Sequence, residues 1–209
     1  MKRVFIDLYN EEQSVHFSGE AILKDENSKT YILDGSGRIE HKNHAKSRGI
    51  FTGKFVDNIR SGYATKTTLD ADGQVMWQYE GVYGEDRPHG QGNLTVNEIV
   101  KVQKSFSSSM FDPDKSQTES QAFADPEYID QAVEKVFSGN FVMGVFEGFG
   151  RLTIDKVVTY SGQWLGGKPH GHGQCVYETE KATYTGMWEN GLWHGEGTLV
   201  TENGYLIRN

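Results

Sequence analysis

The sequence has little cysteine, little proline and no long hydrophobic run. A single cysteine, Cys175, among 209 residues excludes an internal disulfide framework and fits a reducing compartment. The stretch MKRVFIDLYN has only a three-residue apolar run before Asp7, which is too short for a signal peptide. No later stretch is apolar for long enough to span a membrane. These absences predict a soluble protein of the cytoplasm.

Positive charge is also scarce, because 21 Lys and Arg face 29 Asp and Glu, giving a net charge of −8. A general nucleic-acid binder needs a positive surface to neutralise phosphates, so we expect no nucleic-acid partner. An anionic bilayer repels an acidic chain unless its basic residues are clustered. We therefore rank contact with a membrane below contact with a protein.

Glycine and aromatic residues are abundant by contrast, with 25 glycines and 12% aromatics. Without a collagen-like period, this combination is typical of a β protein with many tight turns. Proline is scarce, with four residues in the whole chain.

A phrase recurs along the chain. YSGQWLGGKPHGHG (160–173) is followed by YTGMWENGLWHGEG (184–197), and a third copy, FSGNFVMGVFEGFG, occupies 137–150. Their starts lie 23 and 24 residues apart, which is typical of an array of small supersecondary units. A clear copy occupies 79–92, and a decayed one occupies 51–64. Asp86 and Asn58 replace the turn glycine in these two copies. Residues 17–23 and 31–39 resemble halves of degenerate hairpins.

The repeated phrase predicts a β-hairpin. Tyr160, Gly162 and Trp164 alternate, so in a strand they share one face. The LGGKP stretch is a turn, and Gly171 and Gly173 alternate on the returning strand. If Trp164 lies opposite Gly171, Gly162 lies opposite Gly173. Rings then lie over glycines of the same or the next hairpin, and the hairpins stack because one alone is marginal in water.

The pattern Y-x-G-x-W-x-x-G-x-x-H-G-x-G resembles that of MORN (membrane occupation and recognition nexus) repeats. The resemblance implies an all-β fold: an elongated, single-layer antiparallel sheet of stacked hairpins with a grooved face. It also implies a scaffold of cytoskeletal assemblies, cilia or membrane junctions. Enzymes with such repeats carry catalysis on a separate domain, and too few residues remain here for one, so we expect no enzyme activity.

The repeats divide the chain into three regions: 1–97 with worn and MORN-like hairpins, 98–136, and a second array at 137–209. The second array divides at 137–159, 160–183 and 184–209. The middle region is polar and serine-rich, and it has four Lys against eight Asp and Glu. Its early part predicts a mobile loop. Its end predicts one short inserted α-helix over about 126–136, with Asp125 as N-cap. A connector role is favoured over a regulatory one.

The rings of the repeats are the main candidate binding residues. A single-layer sheet has no second layer to cover them, so we expect a partly exposed aromatic groove rather than complete burial. Such a groove suits a partner's helix or extended segment. The candidate residues are Tyr79, Tyr83, Phe137, Phe141, Tyr160, Trp164, Tyr184, Trp188 and the rim residue Trp193.

A second candidate is the basic stretch 38–48. It holds Arg38, Lys42, Lys46 and Arg48 against one acidic residue. A solvated loop is the default interpretation. The functional alternative is contact with an acidic partner surface or a phosphoinositide head group.

Catalytic and metal sites find little support. His89, His170 and His194 recur at one repeat position, but equivalent positions in successive hairpins are about 10 Å apart, too far to share an ion. His170 with His172 lacks a further ligand at suitable spacing. Cys175 has no activating base nearby in sequence and reads as a packing residue. We therefore predict no cofactor and no metal.

Three functions remain open. The favoured one is a non-catalytic scaffold, a subunit of a larger cytoskeletal, ciliary or axonemal assembly, that binds a protein segment in the groove. The others are a peripheral membrane module for acidic phospholipids and an accessory subunit of an enzyme complex.

Overall fold

A computed structural model of the chain describes residues 2–27, 29–42, 47–103, 128–204 and 206–208, and these residues form one antiparallel sheet. Each strand pairs with its neighbours in sequence, so the strand order is linear and the sheet is not closed. The described strands are β1 (Lys2–Asn10), β2 (Val15–Asp25), β3 (Thr30–Lys42), β4 (Arg48–Val56), β5 (Ile59–Leu69), β6 (Val75–Gly84), β7 (Arg87–Gln103), β8 (Tyr128–Val142), β9 (Val145–Ile154), β10 (Val158–Leu165), β11 (Lys168–Tyr177), β12 (Ala182–Glu189), β13 (Leu192–Thr201) and β14 (Leu206–Arg208).

Each clear copy of the repeat is one hairpin, as the sequence predicts. Its tip is a two-residue turn in which both residues have positive φ, as in Met143 (51°) and Gly144 (87°). Turns of this kind match the twist of the flanking strands. They require a positive φ at the second position, which explains why glycine is common there. Asn58 (69°) and Asp86 (65°) take that position in the first half, and these are residue types that tolerate the left-handed region.

The same turn position joins each hairpin to the one before it. The N–H of Gly167 donates to the carbonyl of Phe146 at 3.1 Å, and the N–H of Gly191 donates to that of Pro169 at 2.9 Å. The N–H of Asp86 donates to the carbonyl of Arg60 in the same way, at 3.2 Å. These bonds satisfy backbone groups at the hairpin tips that have no hydrogen-bond partner within the paired strands.

The register confirms one predicted pairing and corrects another. Gly162 lies opposite Gly173, but a bulge follows Gly162 and places Trp164 opposite Pro169. Gly171 instead faces Trp188 on the next hairpin. The two backbones approach too closely here for a side chain, because a Cβ on Gly162 would lie 2.5 Å from the Cα of Gly173.

The two faces of the sheet differ. We call the side that bears Tyr160 and Trp164 the ring face, and the side that bears Ser161 and Gln163 the polar face. The core lies on the ring face, where the side chains of the repeat rings are buried, and no buried polar or charged residue occurs among the described residues. Because successive side chains alternate between the two faces, each strand has one buried face and one face that is more exposed to solvent.

The predicted helix over about 126–136 is wrong where the structure describes it, because β8 begins at Tyr128 and runs through Phe137. From Lys135 onwards, β8 pairs with β9, and the backbone N–H of Glu134 donates to Asp155 Oδ1 at 2.7 Å. Pairing with a neighbouring strand thus outweighs the local apolar spacing that favoured a helix. Residues 126–127, and the loop predicted before them from 104 onwards, lie outside the described residues.

Two compact units are present. The first comprises Met1–Asn97 with Glu134–Asn209, and the second is Glu98–Val133. The described part of the second unit consists of the last residues of β7 and the first of β8. Across the described ranges we find no helix long and apolar enough to cross a membrane.

Candidate functional site

The aromatic residues predicted to line a groove are almost all buried. Trp193 is the exception, with an exposed fraction of 43%. The others are at most 6% exposed: Tyr79, Tyr83, Phe137, Phe141, Tyr160, Trp164, Tyr184 and Trp188. The expectation of partial exposure is therefore wrong for these eight rings, which form the core.

The rings bury one another without a second layer. Trp188 packs edge-on against Tyr184 of its own repeat and Tyr160 of the preceding one, with centroid distances of 5.4 and 5.0 Å. Trp164 does the same between Tyr160 and Phe137, at 5.2 and 5.1 Å. The second ring of each repeat thus bridges two first rings in a geometry that aromatic pairs prefer.

These contacts continue through the first compact unit as one ladder. Tyr79 contacts Phe141 at 5.1 Å, so the ladder joins the repeats on either side of the 98–133 region. Adjacent centroids are 4.2 to 5.6 Å apart along the series Phe17, Phe55, Phe51, Tyr83, Tyr79, Phe141, Phe137, Trp164, Tyr160, Trp188, Tyr184 and Trp193.

The polar atoms of the rings are satisfied by backbone. The Tyr160 hydroxyl donates to the carbonyl of Gln163 at 2.8 Å, and the Trp188 indole N–H donates to that of Gly173 at 3.2 Å. Burial raises the pKa of Tyr160 to about 12, so the hydroxyl stays protonated and remains a donor. Backbone carbonyls likewise accept from Tyr79, Trp164 and Tyr184, so the polar atoms of these rings serve the fold.

An open trough lies on the polar face, over β9 to β13. Its volume is about 900 Å³. Phe149, which is 71% exposed, and Met187 provide apolar surface beside hydroxyl groups and one acid. The lining residues are Phe149, Ser161, Gly162, His172, Gly173, Thr185, Gly186, Met187, Glu196, Gly197 and Thr198.

The trough follows from the register of the repeats. Ser161 pairs with Gln174, Gln174 pairs with Thr185, and Thr185 pairs with Thr198, so short polar side chains form one row across four strands. The glycines of the neighbouring row face the rings on the other side, and their backbone forms part of the trough floor. The repeat rings give no sign of this site, although alternation places the residue after each ring on the opposite face.

The basic stretch 38–48 is partly neutralised within the sheet. Arg48 Nε lies 2.6 Å from Glu40 Oε1, and Arg38 Nη2 lies 3.3 Å from Glu40 Oε2. The hydrogen bond from Arg48 holds the pKa of Glu40 below its ordinary value. Lys42 is exposed at the end of β3, and Lys46 lies outside the described residues.

The histidine and cysteine candidates do not converge. Among the described residues, no group of three or more His, Cys, Asp or Glu side chains could hold a metal ion. His194 Nδ1 lies 3.2 Å from Glu189 Oε2 on an exposed hairpin tip, and His172 lines the trough. Cys175 is buried, and burial raises the pKa of its thiol, which disfavours the thiolate.

Comparison with protein families agrees with the geometry. The family model described as MORN repeat matches the chain at four places, residues 79–95, 137–155, 160–180 and 184–204. Every residue that lines the trough lies within the last three of these matches. The comparison with curated proteins gives no match. Proteins with MORN repeats are generally modules that contact proteins or membranes and do not catalyse reactions.

Proposed function

The chain carries MORN repeats, and on that premise we propose that it is a non-catalytic scaffold that holds a segment of a partner protein. The segment lies in the trough of the polar face. The aromatic ladder on the other side serves to keep that surface rigid.

The shape and lining of the trough carry this proposal. An open trough with apolar anchors beside hydroxyl groups suits an extended or helical protein segment better than a small molecule, which proteins usually enclose. Phe149 and Met187 offer apolar contacts, while Ser161 and Thr185 offer hydrogen bonds. Because the backbone and rings are held by neighbouring hairpins, little ordering is needed on binding.

A cytoskeletal or ciliary assembly is our proposed setting for this scaffold. Its support is the resemblance to MORN-repeat scaffolds. A membrane role is less favoured, since Arg38 and Arg48 both bind Glu40 and the net charge is −8. Acidic lipids attract clusters of uncompensated basic residues.

A charge placed in the trough tests the proposal. Thr185→Glu alters an exposed trough residue, and Val157→Glu makes a similar change at an exposed turn outside the trough. We expect a partner that co-purifies with the native chain to be lost with Thr185→Glu and retained with Val157→Glu, while both variants melt near the native temperature. Equal retention by the two variants, or a chain that purifies alone under gentle extraction, would contradict the proposal.

A further inference from the structure

The repeat that begins at Phe51 differs from the other copies at two positions of the ring face. Lys66 lies fifteen residues after its first ring, where the four other copies have Leu94, Leu152, Cys175 and Leu199. Arg60 lies nine residues after that ring, where the others have Pro88, Phe146, Pro169 and Trp193. Two cations thus replace residues that are otherwise uncharged.

Lys66 lies among aromatic residues, and within the described part of the chain it has no counter-ion. It pairs in register with Phe51 on β4 and Tyr79 on β6, which places its side chain on the ring face. Its Nζ is 5.3 Å from the centroid of the Trp77 ring, and it makes no ion pair with any described residue. Burial lowers the pKa of Lys66, and the charge of Arg60 lowers it further. A partly buried ammonium is therefore not compensated by any acidic side chain that the structure describes.

The charge of Arg60, unlike that of Lys66, is already offset. Its guanidinium lies over Phe51 and Tyr83, at 5.5 and 5.9 Å from the ring centroids, and its Nε donates to Asp86 Oδ1 at 2.8 Å. From β3 to Asn97, the register places no carboxylate on the ring face of the strands, and by alternation Glu98 is the next residue of β7 on that face. His41, which lies opposite Gly49, is the other titratable basic side chain there.

We propose that Lys66, with Trp77 beside it, binds the carboxylate of an acidic side chain from a partner protein, at a position separate from the trough. One uncompensated charge matches a singly charged carboxylate better than a phosphate, which carries a charge of about −1.5 to −2 at pH 7. The apolar neighbours favour an acidic residue flanked by apolar ones. A buried charge without a partner costs free energy, and the cost rises as water is excluded from it. An acidic ligand that pairs with the ammonium reduces that cost.

Lysine side-chain NMR of the full chain tests this proposal. The probes are an acetylated Leu-Glu-Leu amide peptide and its Leu-Gln-Leu counterpart, added at constant ionic strength. We expect the glutamate peptide to cause a saturable shift of the Lys66 ammonium signal. The glutamine peptide should bind at least tenfold more weakly, as judged by the concentration that half-saturates the shift. The signals of Lys24 and Lys156, which are exposed, act as internal controls and should not saturate. Equal responses from all three lysines would overturn the proposal.

Two further arms separate other sources of negative charge. Inorganic phosphate and vesicles containing phosphatidylserine should perturb Lys66 less than the glutamate peptide does. Preferential response to either would overturn the assignment to a protein carboxylate. Lys66→Leu restores the apolar residue of other copies, so we expect it to fold and to resist urea at least as well as the native chain. In the native chain the glutamate peptide should also shift the indole N–H signal of Trp77, which lies beside Lys66, and Lys66→Leu should lose that response.

Lys24→Leu is the matched control and should keep that response. Retention of the response in Lys66→Leu would also overturn the proposal. A Thr185→Glu variant should leave the Lys66 response intact, so failure here is distinguishable from failure of the trough.

Discussion

Trp188 packs edge-on against Tyr160 of the preceding repeat, with ring centroids 5.0 Å apart and ring planes at 78°. The two residues lie on β12 and β10, so their contact crosses the intervening strand β11. Such contacts recur along the ladder, so each hairpin is stabilised through its neighbours. Stability in arrays of this kind is dominated by nearest-neighbour terms.

Removal of a bridging ring should therefore cost more than removal of the terminal one. Trp188→Ala is expected to lower the free energy of unfolding by about 3–5 kcal/mol, the usual range for a buried aromatic. Trp193→Ala removes a ring that is 43% exposed and should cost less, about 2 kcal/mol. Urea unfolding measures both values. Equal losses of unfolding free energy in the two variants would show that a ring between two repeats stabilises the fold no more than the terminal ring does.

Gly173, which lies beneath the Tyr160 ring, should not accept a methyl group. A Cβ on Gly173 would lie 2.5 Å from Tyr160 Cε2, so Gly173→Ala must displace a buried ring and should cost about 2 kcal/mol or more. Gly84→Ala is the matched control, because its Cβ would lie 3.3 Å from the Cβ of His89 at a hairpin tip. Thermal melting compares the two variants, and a smaller loss at Gly173 than at Gly84 would refute the packing argument.

Alkaline pH should destabilise the fold through its buried tyrosines. Burial raises the pKa values of Tyr79, Tyr83 and Tyr160 to about 12, whereas an unfolded tyrosine has a pKa of about 10. The folded state then holds protons that the unfolded state loses, so stability is complete below about pH 10 and falls as the pH rises towards 12.

Tyr160→Phe isolates one of these residues. It should lower stability at pH 7, because the hydrogen bond to Gln163 is lost, but it should reduce the decline between pH 10 and 12. Urea unfolding at several pH values measures both effects. A decline as steep as that of the native chain would be the contrary result.

Asp86 should stabilise the tip of its hairpin through its side chain. Its Oδ1 accepts hydrogen bonds from the backbone N and from Nε of Arg60, at 2.9 and 2.8 Å. Asp86→Ala removes both and places alanine at a positive φ, so we expect a loss of about 1–3 kcal/mol. Asp86→Asn keeps an oxygen acceptor and tolerates that φ, so its loss in urea unfolding should be smaller. Equal losses would argue that the acceptor is unimportant.

Much of the fold could be predicted from local patterns. The alternation of Tyr160, Gly162 and Trp164 gives strands, and the recurrence of the phrase gives stacked hairpins. The Gly162–Gly173 pair was also predictable, because a Cβ at either position would enter the space that the Tyr160 ring occupies. The bulge after Gly162 was not, since it depends on the positive φ at Gly171 and on pairing across the hairpin.

The sequence was less informative about exposure and about β8. Whether Trp188 is buried depends on Tyr160, which lies 28 residues earlier, and no local pattern records that contact. The apolar spacing before Phe137 favours a helix, but the chain from Tyr128 is a strand, which pairs with β9 from Lys135 onwards. The trough residues, such as Thr185 and His172, are unremarkable singly, and they form a site because the register aligns them.

Site-specific photo-crosslinking tests the central claim most directly. A benzophenone amino acid replaces Thr185 in the trough or Tyr177, a partly buried residue whose side chain lies on the ring face, and the native assembly is irradiated. We predict a crosslink to the partner from position 185 and none from position 177. A crosslink from position 177 alone would contradict the claim that the polar face binds the partner while the rings only support it.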